Sequence, residues 1–350
     1  MRVAVIGATG NVGTSVLQAL ADDPQVDSIV GLARRRPTLP WAKTTWVEAD
    51  VASSDLVPHL RGADVAIHLA WLIQPSRDLA TARQANVEGS RRAFRAVAEA
   101  GVPALLYASS VGAYSPGPKD RRVDESWPTG GIPTSFYSRH KAEVERLLDL
   151  FEQEHPDVRV VRMRPGLIFK REAASGIRRL FAGPLLPSSL VRPGLVPVVP
   201  DIPRLRFQAV HSLDVGEAYR LAATREVSGA FNLAAEPVLD PAELGRLLGA
   251  RPVPVPAAAV RAAIALSWRL RLQPSPPGWL DMALGVPLMD ATRAREELGW
   301  QPRRSSGDAL LELMGGMRDG AGLGTPPLDP GTGGPARLRE LLTGVGRGSR

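Results

Sequence analysis

A chain of 350 residues, 44% apolar and 23% charged, is long enough to bury a full core, which excludes a disordered polyanion or a small stapled domain. It contains no cysteine, so disulfides, thiolate metal sites and cysteine nucleophiles are excluded, and a reducing, cytoplasmic setting is expected. Forty-three basic residues against 36 acidic ones leave a net charge of +7, which suits nucleic acid, an anionic membrane or an anionic small molecule as partner.

Met1 to Gly7 runs straight into a strand pattern with no apolar stretch and small-residue cleavage site, so no signal peptide is expected. Apolar runs too short for a bilayer predict no membrane span. Strands are predicted at Val3–Ile6, Ser28–Ala33, Thr45–Glu48, Val65–Ala70, Ala104–Ser109 and Val158–Arg164. Helical spacing runs through Leu79–Ala100 and Phe136–Gln153, and the alternation is that of βαβ units building a parallel α/β sheet over residues 1–165. Beyond Pro165 the composition changes. Gly183 to Pro203 is proline-rich without periodicity and reads as a loop or lid rather than sheet. Strands are expected again at Phe207–Val210 and Ala230–Leu233, with helices at Pro241–Leu248, Ala257–Leu270 and Asp290–Leu298. Residues 207–234 are thereby expected to return to the first domain, leaving 166–206 and 235–317 as a smaller C-terminal α/β part for substrate. Residues 318–350, rich in glycine and proline, read as a flexible tail with one short helix at Ala336–Thr343.

Gly7-Ala8-Thr9-Gly10-Asn11-Val12-Gly13 leaves the first strand and opens a helix, the context a dinucleotide fingerprint requires. Gly7 permits the tight turn, Gly10 lets backbone approach a pyrophosphate, and Gly13 allows close helix packing. The same glycines could serve a turn alone. Where such folds place an acid on the adenosine ribose, the second strand here ends in Ala33-Arg34-Arg35-Arg36. Arg34 and Arg35 favour NADP over NAD, since a guanidinium can grip a 2′-phosphate, though a solvated basic turn reads the same way. Asp50 and Val51, after the third strand, are placed to hold the adenine edge. In Tyr137-Ser138-Arg139-His140-Lys141, phenol and ammonium stand one helical turn apart. A lysine beside a tyrosine favours phenolate, so Tyr137 is a candidate acid/base and Lys141 its partner. The chain has only four tyrosines, which makes a chance pairing uncommon. Ser109 and Ser110 close the fifth strand, on the edge where doubly wound sheets bind ligands.

Together these residues resemble the extended branch of the short-chain dehydrogenase/reductase superfamily, the NAD-dependent epimerase/dehydratase family, over roughly residues 1–317. The resemblance also rests on His68-Leu69-Ala70, Asn86-Val87-Glu88-Gly89, Tyr107 to Tyr114, Arg164-Pro165-Gly166, Val210 to Val215 and Leu298-Gly299-Trp300-Gln301-Pro302. It implies a Rossmann-type doubly wound sheet. Tyr137 would be the acid/base, Lys141 would lower its pKa and bind the nicotinamide ribose, and Ser110 would orient the substrate oxygen. Leu69, Ala70 and Trp71 would line the cofactor, with Trp71 narrowing the cleft or serving as a core residue. Asn86 would be structural or part of a proton relay, and Pro165, Gly166 and Leu167 would line the nicotinamide amide. His211 and Asp214 would be a fixed structural turn. The histidines lack metal-ligand spacing, and no metal is expected.

Departures from the family pattern narrow the reaction. Ser110 is followed by Val111-Gly112-Ala113, without the acidic pair that dehydratases use, and Gly166-Leu167-Ile168 lacks the asparagine common in sugar-nucleotide epimerases. The expected activity is therefore hydride transfer between NADP and a secondary alcohol or carbonyl. A nucleotide-sugar 4-epimerase is the alternative, and a non-catalytic dinucleotide sensor a third reading. Residues 159–206 hold ten basic and two acidic residues, a local balance of +8. Arg178, Arg204 and Arg206 within this stretch could hold an anionic substrate, or lie on solvated faces. With the excess confined there, no nucleic-acid partner is expected. The resemblance makes a homodimer through Leu79–Ala100 and Phe136–Gln153 plausible.

Overall fold

The computed structural model describes residues 1–38, 40–73, 77–181, 196–273 and 275–333. Seven strands form one parallel sheet: β1 (Arg2–Ile6), β2 (Ser28–Ala33), β3 (Thr44–Glu48), β4 (Val65–His68), β5 (Ala104–Ala108), β6 (Arg159–Pro165) and β7 (Gly229–Leu233). Their spatial order is 3-2-1-4-5-6-7, so the order reverses between β1 and β4. In a parallel sheet every strand delivers its C-terminal end to the same edge, and the crevice opens where the order reverses.

The strand side chains alternate between two helical layers, as a period of two requires. Val3, Val5, Val65, Ile67, Ala104 and Leu106 face one layer, which contains α1 (Asn11–Ala21) and α4 (Ser212–Thr224). Ala4, Ile6, Ala66, Leu105 and Tyr107 face the other, formed by α2 (Gly89–Glu99) and α3 (Phe136–Glu154). Near-continuous apolar strands are what such double coverage demands. The helices α1 and α4 approach closely: a Cβ on Gly216 would stand 2.5 Å from the Ser15 carbonyl oxygen, and the Ser15 and Ser212 hydroxyls are 2.9 Å apart.

Outside the sheet, the expectations divide. Ala209–His211 does not join β1–β7 but pairs with Leu167–Phe169, while Gly229–Leu233 does return to the main sheet. Within the proline-rich stretch, Val198–Asp201 is a strand paired with Arg251–Pro254 rather than a loop. Its prolines are tolerated because a two-stranded ribbon is all edge. The predicted helix Leu79–Ala100 is broken by a π-helical turn at Gln84–Glu88. Helix α5 (Gly278–Gly285) borders the crevice, and α6 (Ser306–Asp319) opens on a capping box between Ser305 and Asp308. Beyond it, Thr325 and Leu328 are buried against the body, whereas residues 334–350, with the predicted helix Ala336–Thr343, lie outside the described residues. Among the described residues no helix is long and apolar enough to cross a membrane.

Beneath the crevice, α3 is tied to β5 and β6 by a buried ion cluster. Glu145, fully buried, accepts from Arg164 Nε at 2.9 Å, from Arg164 Nη2 and Arg162 Nη1 at 3.0 Å, and from the Ser109 hydroxyl at 2.5 Å. These donors hold the Glu145 carboxyl below the usual range against the opposing effect of burial. Arg162 also pairs with Asp149 and Glu152, so two arginines of the basic stretch are neutralised by carboxylates of α3.

Glu145→Ala would leave Arg164 buried without a carboxylate, and a loss of about 3–5 kcal/mol is expected in urea unfolding. Gly216→Val would push α4 off α1, and the urea midpoint should fall by the equivalent of about 1–3 kcal/mol.

Candidate functional site

The turn from β1 into α1 is dictated by sterics at two of its three glycines. Gly7 has φ +88°, and a Cβ there would stand 2.6 Å from the Ala70 backbone nitrogen; a Cβ on Gly13 would stand 2.5 Å from the Gly7 carbonyl oxygen. Gly10 is different. A Cβ there would meet only the Gly7 carbonyl oxygen, at an ordinary 3.5 Å, so nothing among the described residues demands glycine. The demand fits something outside the chain that approaches the turn. No side chain caps the first turn of α1, which leaves its N–H groups at Asn11, Val12 and Gly13 directed at that space. The Asn11 Oδ1 is buried and has no partner among the described residues, while its Nδ2 donates to the Ile168 carbonyl. A cradle with open N–H groups and an orphaned acceptor fits a dinucleotide pyrophosphate and ribose.

Lys170, unremarked in the sequence, braces this turn from behind. Its ammonium is buried and donates to the Asn11 carbonyl at 3.0 Å and to the Thr14 hydroxyl at 2.6 Å, and burial lowers its pKa to about 8. Thr325 braces it from the C-terminal segment, donating from its hydroxyl to the Thr9 carbonyl at 2.9 Å. No local pattern announces either contact, because the partners lie 159 and 316 residues away.

The remaining strand ends carry the other predicted residues along the same edge. Arg34 and Arg35 are exposed just past β2, with no hydrogen bond or ion pair among the described residues. After β3, Asp50 accepts from the Ala52 amide at 2.9 Å with one carboxylate oxygen, and Val51 packs where a Cβ on Gly89 would clash at 2.8 Å. Past β4, the Leu69 amide bonds the Ile6 carbonyl, and Asn86 grips Leu72 at both backbone groups, accepting at 2.6 Å and donating at 3.1 Å. The Asn86 amide therefore fixes the segment that carries Ala70 and Trp71. Past β6, a Cβ on Gly166 would stand 2.4 Å from the Gln208 carbonyl oxygen, and that carbonyl accepts from the Leu167 amide at 2.9 Å, which sets the path of Pro165 to Leu167.

At the centre, Ser110, Tyr137 and Lys141 are brought together. The Ser110 Oγ accepts from the Gly112 amide at 3.0 Å, and the Ser110 hydroxyl stands near enough to the Tyr137 phenol to oppose part of the rise that burial gives it. Helix α3 starts at Phe136, capped by the Ser135 hydroxyl, so Tyr137 and Lys141 occupy its first two turns. The Lys141 ammonium does not bond the phenol. It donates to the Ala108 carbonyl at 2.5 Å and lies 3.5 Å from the centre of the Trp71 ring, against 5.9 Å for the Tyr137 ring. Burial pushes the phenol up to about 12 and holds the lysine well below its ordinary value. The expected lowering of the phenol is thus not present in the protein by itself, because desolvation outweighs an ammonium turned to other partners.

Of the predicted substrate arginines, Arg204 donates to the Leu284 and Gly117 carbonyls and Arg206 to the Lys119 carbonyl. Arg178 lies half-buried on the helix Ala174–Phe181 and is engaged within the chain. Neither Arg204 nor Arg206 is brought to Tyr137. His211 and Asp214 are integrated in the framework: His211 caps α4 and meets Glu312 at 3.1 Å, and the Asp214 carbonyl accepts from the Trp300 indole at 2.7 Å. Among the described residues no group of three or more His, Asp or Glu could hold a metal ion.

Comparison with known proteins places this site in context. A protein of Mycobacterium tuberculosis strain H37Rv without a characterised function is 27% identical over 327 residues, 93% of this chain but 31% of its own length. The chain therefore spans about a third of the first such relatives. A second uncharacterised protein of that strain is 25% identical over 341 residues, covering 94% of this chain and 86% of its own. The solved structure of MoeE5 with UDP-glucuronic acid and NAD superposes with a TM-score of 0.66 at 21% identity, over 91% of this chain and 99% of that one, and so shares the fold. Residues 3–187, more than half of the chain, match the sequence pattern of the NAD dependent epimerase/dehydratase family. With that match and the parallel sheet, the chain belongs to the NAD dependent epimerase/dehydratase family, the extended branch of the short-chain dehydrogenase/reductase enzymes.

Proposed function

We propose that the protein is an oxidoreductase that prefers NADP(H) and interconverts a secondary alcohol and its carbonyl compound. The observation that carries this reading is the convergence of Ser110 and Tyr137 on Gly112, whose amide bonds the Ser110 Oγ at 3.0 Å and whose Cα lies against the Tyr137 ring, with Lys141 one turn along α3. The dinucleotide would be held by the N–H groups of Asn11, Val12 and Gly13, and its adenosine phosphate by Arg34 and Arg35. A nicotinamide dinucleotide held there would supply the acceptor for the hydride, the electron pair of the broken carbinol C–H bond, and in its oxidised form a positive charge in the cleft. Ser110 holds the substrate oxygen. Tyr137 receives the hydroxyl proton as the carbonyl forms, and returns it in the reverse direction. Lys141 adds positive charge that favours phenolate, and in a dry cleft that charge acts with little screening.

The proton inventory favours reduction at neutral pH. With its phenol held at about 12 in the free protein, Tyr137 carries the proton that a carbonyl must receive. A second reading, a UDP-sugar 4-epimerase, is favoured by the likeness to MoeE5, which was solved with UDP-glucuronic acid and NAD. Retention separates the two: an epimerase would carry NAD through desalting, whereas this reading expects exchangeable NADPH, read by mass spectrometry of the purified protein.

Tyr137→Phe should lower turnover by about 10²–10⁴-fold while dinucleotide affinity stays within severalfold; unchanged turnover would remove Tyr137 from the chemistry. Because oxidation needs the phenolate and reduction the phenol, kcat/KM for the alcohol should climb with pH and that for the carbonyl should fall, and Tyr137→Phe should flatten both. Arg34→Ala should weaken NADPH about tenfold relative to NADH, the size of one charge-assisted contact. Equal effects on the two dinucleotides would refute the phosphate assignment.

A further inference from the structure

The surroundings of the Tyr137 ring are aromatic and aliphatic. Trp279 of α5 lies 5.2 Å from it, tilted by 33°, and Trp71 meets it edge-on at 5.9 Å. Phe136 stands edge-on to Trp279 at 6.1 Å, and Leu180, Met282 and Ile132 complete the cluster. The wall is tight: a Cβ on Gly112 would stand 2.8 Å from the Tyr137 ring and 3.1 Å from the Met282 sulfur. Among the described residues Lys141 is the one cation with a contact to the Tyr137 ring, and Arg178, on the helix that brings Leu180 to the cluster, is engaged within the chain. Arg204 and Arg206 tie down the Gly117–Lys119 loop, and Arg162 and Arg164 belong to the Glu145 cluster. The Trp71 indole N–H is buried with no hydrogen-bond partner among the described residues.

A sugar ring set against such a wall would leave most of its hydroxyls unpaired, and a diphosphate would find no free guanidinium beside the phenol among the described residues. We propose that the substrate presents its secondary alcohol or ketone on a flat, apolar ring system, which Trp71 and Trp279 flank and whose oxygen reaches Ser110 and Tyr137. This deepens the oxidoreductase reading and rests on it. The wall selects by area and shape, since an apolar ring gains from leaving water and from edge or offset contact with indole.

The test uses the full chain with two probes, each titrated calorimetrically: α-tetralol followed by nicotinamide absorbance, and UDP-glucose followed both by that absorbance and by chromatographic separation of its 4-epimer, which forms without net change in the dinucleotide, with NADP and NAD. Oxidation of α-tetralol with kcat/KM at least tenfold above that of UDP-glucose is expected. Trp279→Ser should raise the KM for α-tetralol about tenfold with NADPH affinity within twofold. Should that variant fail to fold, Trp279→Phe, which keeps a ring, should retain KM within about threefold. Micromolar binding of UDP-glucose, its preferred turnover, or no binding and no turnover of α-tetralol overturns the substrate assignment. UDP-glucose turnover that is lost in Tyr137→Phe would overturn the apolar substrate while leaving Tyr137 chemistry standing. Turnover of either probe that is unchanged in Tyr137→Phe would instead overturn the reading that Tyr137 carries the proton, whichever substrate is preferred.

Discussion

The site depends on how tightly the chain turns out of β1. Gly7 lies against Ala70, its amide bonds the Leu32 carbonyl at 2.8 Å, and Gly13 closes on its carbonyl. One glycine-rich turn thereby fixes the ends of β2 and β4 and the start of α1 to within a van der Waals contact. Interiors packed this closely cannot yield locally. The strand ends that carry Arg34, Trp71 and Ser110 are consequently held in one frame, and Lys170 and Thr325 brace the same turn from outside the sheet.

The second requirement is the handling of buried charge. Glu145 is fully buried yet answered by two arginines and a serine, so it anchors α3 under the site without a free charge. Lys141, one turn earlier on the same helix, has no carboxylate hydrogen-bonded to it among the described residues; it has the Ala108 carbonyl, the Tyr107 hydroxyl and the Trp71 ring. Its ammonium is poorly compensated, and the adjacent phenol keeps its proton. That imbalance makes the pair responsive to a cation entering the cleft, which an evenly neutralised pair would not be.

The basic stretch shows how a composition signal can be divided by folding. Its local balance of +8 suggests an anion site, yet the described arginines follow separate paths. Arg162 and Arg164 complete a core network, Arg171 pairs with Asp319, and Arg204 and Arg206 serve backbone carbonyls. Residues 182–195, which include Arg192, lie outside the described residues. A guanidinium has five donors, and carbonyls left over by irregular loops are partners as good as a phosphate.

By itself the sequence determined the seven parallel strands within a residue or two, apart from the swapped place of Ala209–His211, and it determined where Gly7, Ser110, Tyr137 and Lys141 fall along the chain. Those features are local: apolar runs of strand length, glycines where only glycine fits, and a spacing of four on a helix. The capping box at Ser305 and Asp308 and the Tyr137, Lys141, Glu145 spacing were equally local and could have revealed α6 and the buried carboxylate. Only the tertiary structure decided that Trp279 faces Tyr137, that Thr325 reaches Thr9 and that burial keeps the phenol protonated. These depend on residues far apart in the chain meeting in a space from which water is excluded, and neither the meeting nor the loss of solvent leaves a mark on local sequence.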